Sequence, residues 1–214
     1  DVALADPNAD TAELRRAAEV ARSAGDRMSR MVEDLLMLAR LEARVETRSD
    51  FQLGDVIDEV AEEFRAAASE GDIAFGIKAS ARSIVNGDRD AIQRALANLL
   101  ENAIRLSPGT RIEIDSGGSD GWTWVAVADQ GPGVEPADLE HIFDRFYRAD
   151  QARTRSDGGT GLGLAIVRRI VEVHRGVIRV ASRPGVGTTF LICLPVSGSY
   201  GTEPPVGDPV LLTS

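Results

Sequence analysis

From Glu13 to about Arg44 the chain contains no proline and one glycine, Gly25. Apolar residues in this stretch fall at Leu14, Ala18, Ala21, Met28, Met31, Val32, Leu35, Leu38 and Ala39. Steps of three and four put them on one side of a helix, so the stretch predicts a single long amphipathic α-helix. The stripe keeps a heptad register for about four repeats, as in a helical bundle or coiled coil. Such a stripe must be covered, either by a second helix of this chain or by another chain. No second helix of matching length follows, which shifts the expectation toward another chain.

Residues 1–12 are polar, contain Pro7 and read as a loop; residues 45–54 are polar, include Gly54 and read as a linker. After that the patterns alternate. Helices are expected at 55–69, at 88–105 with Asp88 as N-cap, and at 162–174 with Gly176 closing the end. Short strands are expected at 73–78, 83–85, 111–114, 123–128, 177–181 and 188–194, the last two joined by a turn at Pro184-Gly185-Val186-Gly187. The expected fold class is α+β: one mixed sheet with helices on one face, preceded by the long helix. The tail from Ser197 to Ser214 has three prolines and three glycines; with its serines and threonines it reads as disordered. The expected domain division is 1–48, 49–196 and 197–214.

A net charge of −10 argues against non-specific nucleic-acid binding and against an anionic membrane surface, both of which need basic patches. The single cysteine, Cys193, lies in an apolar run and reads as a small buried hydrophobe, which fits a reducing compartment. No apolar stretch reaches the roughly 18 residues of a membrane span. The chain begins at Asp1 rather than at a methionine, so a piece of something longer is expected.

Three segments carry chemistry. Asn98 and Asn102 stand four apart on one helix face, where asparagine is a poor interior residue. Their amide oxygens are hard ligands suited to Mg²⁺, and Arg105, one turn on, could meet a phosphate. Two solvated amides are the ordinary alternative. Asp129-Gln130-Gly131-Pro132-Gly133 follows a strand directly. Its glycines allow a tight turn and close backbone approach, and its carboxylate could accept from an exocyclic amine such as that of adenine. Gly158-Gly159-Thr160-Gly161-Leu162-Gly163 puts four glycines in six residues before a helix. That arrangement offers backbone N–H groups to a phosphate. It is neither a dinucleotide fingerprint nor a Walker motif. Between the last two lies Arg145-Phe146-Tyr147-Arg148, then a polar stretch from Ala149 to Asp157 with Arg153 and Arg155. It reads as a mobile lid whose arginines could reach phosphates, or as a solvated loop. His141, expected in a short helix, and His174, expected as a cap favoured by the helix dipole, both read as structural.

In this order the segments resemble the N, G1, F and G2 boxes of the catalytic domain of bacterial two-component sensor histidine kinases. The boxes correspond to Asn98–Ala103, Asp129–Gly133, Ile142–Arg148 and Gly159–Leu164. Arg27–Leu36 resembles the second helix of that family's dimerisation and phosphotransfer hairpin. The resemblance implies a Bergerat-type fold that binds ATP and Mg²⁺. It implies metal binding at Asn102 supported by Asn98, and adenine recognition at Asp129. Gly131 and Gly133 would shape the nucleotide pocket. Gly159, Thr160, Gly161, Leu162 and Gly163 would border the phosphates, with Arg148 as a catalytic phosphate contact. Implied partners are a response regulator, a phosphoacceptor histidine upstream or in trans, and a second chain on the long helix. The family's histidine-bearing helix would precede residue 1, so self-phosphorylation at the usual site is not expected of this segment. Leu106 departs from the family, which often has an aromatic or large polar residue there. A cytoplasmic location is implied, with membrane attachment only through a missing N-terminal part. Two rivals keep the ATP fold: an anti-sigma-type serine kinase, and a nucleotide-dependent interaction module without catalysis.

Overall fold

The computed structural model describes residues 11–42, 48–78, 82–148 and 159–199. The long amphipathic stretch is helix α1, Thr11–Glu42, two residues earlier at its start than the pattern suggested. Its stripe divides. Leu38 is buried, as is Leu41 beyond the stripe, whereas Leu14, Met28, Met31, Val32 and Leu35 stay exposed, as do Val20 and Leu36 beside them. Among the described residues, the C-terminal part of α1 is the part covered by the rest of the chain, where it meets a helix of the α/β domain.

Within the stretch read as a linker, residues 45–47 lie outside the described residues, and from Ser49 on it is regular structure. Ser49–Gln52 forms strand β1, and helix α2, Leu53–Glu70, starts at the next residue with Gly54 buried in its first turn. Strand β1 pairs antiparallel with β3, Ile84–Gly87, in register from Ser49↔Gly87 to Gln52↔Ile84. A strand with Phe51 as its one apolar residue shows no alternation, and its partner lies far along the chain. Local pattern therefore hid it.

Five further strands make the main sheet. They are β2 (Ala74–Ile77), β4 (Arg111–Ser119), β5 (Trp122–Asp129), β6 (Val177–Arg183) and β7 (Gly187–Pro195), in the order β2-β4-β5-β7-β6. β2 and β4 are parallel and the other pairs antiparallel, so the sheet is mixed as expected. Register puts Ile112, Ile114, Val125, Val127, Phe190 and Ile192 on one face, all of them buried. That face packs against α2, α3 (Arg89–Leu106) and α4 (Gly163–Val173) in one core. Because side chains alternate along a strand, Asp129 at the end of β5 shares the face of Val127 and points toward the helices.

Two helix ends are locked together. The Asp88 carboxylate accepts from the Ala91 amide at 3.0 Å, the expected N-cap of α3. His174, 2% exposed, follows α4. Its Nε2 accepts from the Asp88 amide at 2.9 Å and its Nδ1 pairs with the Ile170 carbonyl at 2.7 Å. Nδ1 therefore carries the proton, and the ring serves as a neutral bridge between two helix termini rather than as a cation on a dipole. The close of α4 also differs from expectation. Arg175, not Gly176, takes the left-handed conformation (φ 59°), while the Gly176 amide donates to the Val171 carbonyl. Gly176 is needed for space, because a Cβ there would collide with the Cys193 carbonyl.

His141 lies in a run of turns rather than a helix, exposed, with Nδ1 2.9 Å from the Asp144 carboxylate. Cys193 is buried, as expected, and burial pushes its thiol up from the ordinary value. Ser197 to Ser199 do not belong to a loose tail. The Ser197 amide donates to the Ile84 carbonyl and the Ser199 hydroxyl to the Gly121 carbonyl. The expectations for residues 1–10, for the lid at 149–157 with Arg153 and Arg155, for Gly158 and for 200–214 lie outside the described residues. Among the described residues no helix is long and apolar enough to cross a membrane.

Candidate functional site

Helix α3 supplies one wall. Arg94, Asn98 and Asn102 recur every four residues, so they line one face of α3. Asn98 is 4% exposed, and its amide nitrogen donates to the Gly163 carbonyl at 3.3 Å, tying α3 to the start of α4. Asn102 is half-buried, and its Oδ1 accepts from the Arg105 guanidinium. These are not two solvated amides: one is a buried tie and the other is held by a cation.

Strand β5 supplies the second wall. Asp129 is 8% exposed; its Oδ1 accepts from the Gly131 amide at 2.8 Å and from the Ser107 hydroxyl at 3.1 Å. Burial pushes its carboxyl above the ordinary value of 3.8, against the opposing pull of hydrogen bonds from the Gly131 amide, Ser107 and the Thr188 backbone. A buried carboxylate kept ionisable by amide donors, with one oxygen less engaged than the other, suits recognition of an amine. Gly133 (φ 72°) passes so close to the Arg183 carbonyl that a Cβ would collide with it.

The glycine-rich turn into α4 supplies the third wall. At Gly161 (φ 73°) a Cβ would meet the Phe146 backbone at 2.9 Å, and at Gly159 it would collide with the Arg105 guanidinium. The Thr160 hydroxyl accepts from the Leu162 amide at 3.2 Å and donates to the Asp34 carboxylate at 3.0 Å.

These walls enclose a cavity of about 470 Å³. Asn98, Asn102, Arg105, Asp129 and Gly133 line it, as do Arg148, Gly159, Thr160, Gly161 and Gly163. Two expected members do not. Leu162 is fully buried in the core, because it begins the apolar face of α4. Gly131 spends its amide on the Asp129 carboxylate. The cavity runs along α3 from Arg94 to Leu106, about 18 Å of helix axis. That length accommodates a base, a sugar and a chain of phosphates.

Residues 87–198, more than half of the chain, match the family described as "Histidine kinase-, DNA gyrase B-, and HSP90-like ATPase". The chain belongs to this ATPase family. Its α/β domain is thus an ATP-binding domain of the Bergerat type, and its relatives are sensor histidine kinases. It is 39% identical over 189 residues to the sensor-like histidine kinase SenX3 of Mycobacterium tuberculosis, covering 87% of this chain and 46% of that protein. The chain therefore spans less than half the length of that relative. Among solved structures it resembles full-length ShkA in complex with AMPPNP (TM-score 0.74, 28% identity, 88% of this chain and 40% of that one). It also resembles the histidine kinase ThkA in complex with the response regulator protein TrrA (TM-score 0.69, 26% identity, 90% and 53%).

The ATPase cavity holds residues that sequence reasoning missed. Phe64 and Ala67 of α2, with Ile104, Val134 and Phe190, give it an apolar part. Leu106 lines it too, so the departure from the family's large residue still leaves an apolar wall. Arg30 and Asp34 of α1 and Arg94 of α3 line it as well. Ser107 was readable: a serine closing a helix is a ready hydrogen-bond donor. Phe64 and Ala67 were not, since in a helix stripe a cavity wall looks like core.

Proposed function

We propose that the cavity holds Mg²⁺-ATP between the α3 amides and the two glycine turns. The domain then transfers the γ-phosphoryl group to a histidine outside this chain, from which it passes to an aspartate of a response regulator. The observation that carries this reading is one cavity with a buried, amide-anchored carboxylate, Asp129, and, farther along the same helix, an amide pair, arginines and a glycine turn. Asp129 would accept from the adenine amine, against the apolar wall of Phe64, Ile104 and Leu106. Asn102, supported by Asn98, offers the hard oxygen donors that Mg²⁺ prefers, so the residues present fit the metal. When bound, the ion would neutralise charge on the phosphate oxygens. Arg105 now holds the Asn102 oxygen. A metal there requires the guanidinium to give it up, and a phosphate oxygen is the acceptor it would take instead. Gly159, Thr160, Gly161 and Gly163 would border the phosphates, and Arg148 would neutralise them.

A neutral imidazole nitrogen of the acceptor attacks the γ-phosphorus, the bond to the β–γ bridging oxygen breaks, and ADP leaves. The nitrogen is nucleophilic without a strong base. The chain's work is then positioning and charge neutralisation. ShkA's complex with AMPPNP and ThkA's with a response regulator support the same ligand class and partner for this chain. The exposed stripe of α1 supports a second helical chain as a further partner, a second copy or a hetero-partner, and the histidine would lie upstream or in trans.

The test is incubation with γ-labelled ATP, Mg²⁺ and a separately made histidine-bearing helical hairpin. Acid-labile, base-stable label on the hairpin is expected. Label on serine would move the domain to the serine kinases, and nucleotide binding without transfer would make it an interaction module.

A further inference from the structure

The feature that the proposed function leaves unused is the carboxylate of Asp34. It belongs to α1, yet it lines the ATPase cavity. It is 5% exposed, on a helix whose neighbours Leu35 and Leu36 are among the exposed apolar residues. Its two oxygens are divided between two donors from two other elements. Oδ1 takes the Arg94 guanidinium of α3 at 3.1 Å, and Oδ2 takes the Thr160 hydroxyl of the glycine turn at 3.0 Å. An arginine and a hydroxyl on a glycine turn at a helix N-terminus are the donors that a phosphate oxygen would seek. Here they converge on a buried anion supplied by the protein itself.

We propose that Arg94 and Thr160 form a subsite for the terminal phosphate of a nucleoside triphosphate, and that Asp34 occupies this subsite while α1 is docked. The inference rests on the reading of the cavity as an adenine-nucleotide site. Two features of the cavity support it. Arg94 lies on the face of Asn98 and Asn102 but farthest from Asp129, where the last phosphate of a nucleotide with its base at Asp129 would come. The donors are shared between Asp34 and the cavity, so a third phosphate and the carboxylate compete for them and their negative charges repel. The consequence follows from mass action: a ligand that takes Arg94 and Thr160 weakens the hold of α1, and a docked α1 weakens the hold on the third phosphate. A diphosphate, lacking the group that reaches the subsite, is indifferent to Asp34.

The test uses the full chain, with ADP and the non-hydrolysable triphosphate AMPPNP, each with Mg²⁺, by titration calorimetry. The quantity read is the ratio of the two affinities. Asp34→Ala is expected to raise the preference for AMPPNP about tenfold, the order of one charge-assisted hydrogen bond, with ADP affinity changed less than twofold. Arg94→Gln is expected to lower AMPPNP affinity, spare ADP and cancel the gain in the Asp34→Ala background. Asp34→Asn, close to isosteric, gives a second variant should the alanine protein prove unstable by circular dichroism, and it should shift the ratio in the same direction. An unchanged ratio in both Asp34 variants overturns the proposal, as does an equal change for both nucleotides. In either case, ADP binding to the parent leaves the nucleotide site itself standing. Failure of the parent to bind either nucleotide overturns both.

Discussion

At the residue scale the informative group is Asp129. Its burial raises its carboxyl above 3.8, so in the window from that value upward the native protein holds more proton than the unfolded chain. Stability must then fall as pH rises through the window, and the cost is fully present above the raised value. Asp129→Asn removes that cost while its amide oxygen can still accept from Gly131 and Ser107. The expected outcome is a variant at least as stable as the parent at neutral pH, with the difference in melting temperature shrinking as pH falls toward 4. Its affinity for Mg²⁺-ADP should nonetheless drop about tenfold or more, because an asparagine's acceptor is neutral. Thermal melts across pH beside nucleotide titrations check both halves. A lower stability at neutral pH would show that the hydrogen bonds to the charged form outweigh its burial. The candidate residues were readable in the sequence because glycines and paired asparagines are out of place in their settings. Asp34 was not readable, since a carboxylate one residue from a heptad stripe looks like any solvated charge. Only the tertiary docking of α1 buries it.

Elements were legible where the pattern is local and lost where the reason lies across the fold. The α3 helix announced itself through Asp88 and an uninterrupted periodic run. The β4–β5 hairpin was foreshortened, because Gly117 and Gly118 discourage a strand. In the structure Gly117 is in the strand because it faces the Trp124 ring: a Cβ would come within 2.8 Å of it. The turn itself, Asp120 and Gly121 both at positive φ, has the sequence signature of a tight hairpin. Strand β1 and the Arg48 guanidinium, which donates to the Val173 carbonyl at 2.6 Å at the end of α4, depend on partners remote in sequence. The same logic makes Gly87 the test of the helix-end lock. A Cβ on Gly87 would run into the His174 ring, which is held by Asp88 and Ile170. Gly87→Ala should destabilise the domain by about 1–3 kcal/mol in urea unfolding. Gly76→Ala, on edge strand β2 with open space around its missing Cβ, should be neutral or stabilising by roughly 0.5 kcal/mol. Equal effects would mean that the His174 bridge yields to the added methyl.

At the scale of the molecule the unfinished surface is α1. Its C-terminal end is anchored by Leu38, Leu41 and the Asp34 contacts, but Val20, Met28, Val32, Leu35 and Leu36 face solvent, 43–71% exposed. Apolar side chains repeated at helical spacing and left uncovered are a helix–helix interface without its partner. Each residue covered is worth about 1.5–3 kcal/mol when fully buried, so a handful buried in two copies at once outweighs a modest loss of side-chain freedom. The chain is therefore expected to self-associate through α1, with a larger sedimentation coefficient as concentration rises. Exchanging Met28, Val32 and Leu35 for lysine or glutamate should shift it to the monomer. None of these three side chains lines the cavity, so Mg²⁺-ADP affinity should survive the exchange. A parent protein that stays monomeric at every concentration would instead mean that the cover for α1 comes from a different chain. A triple variant that loses nucleotide binding would mean that the stripe reaches the ATPase site by a route other than Asp34.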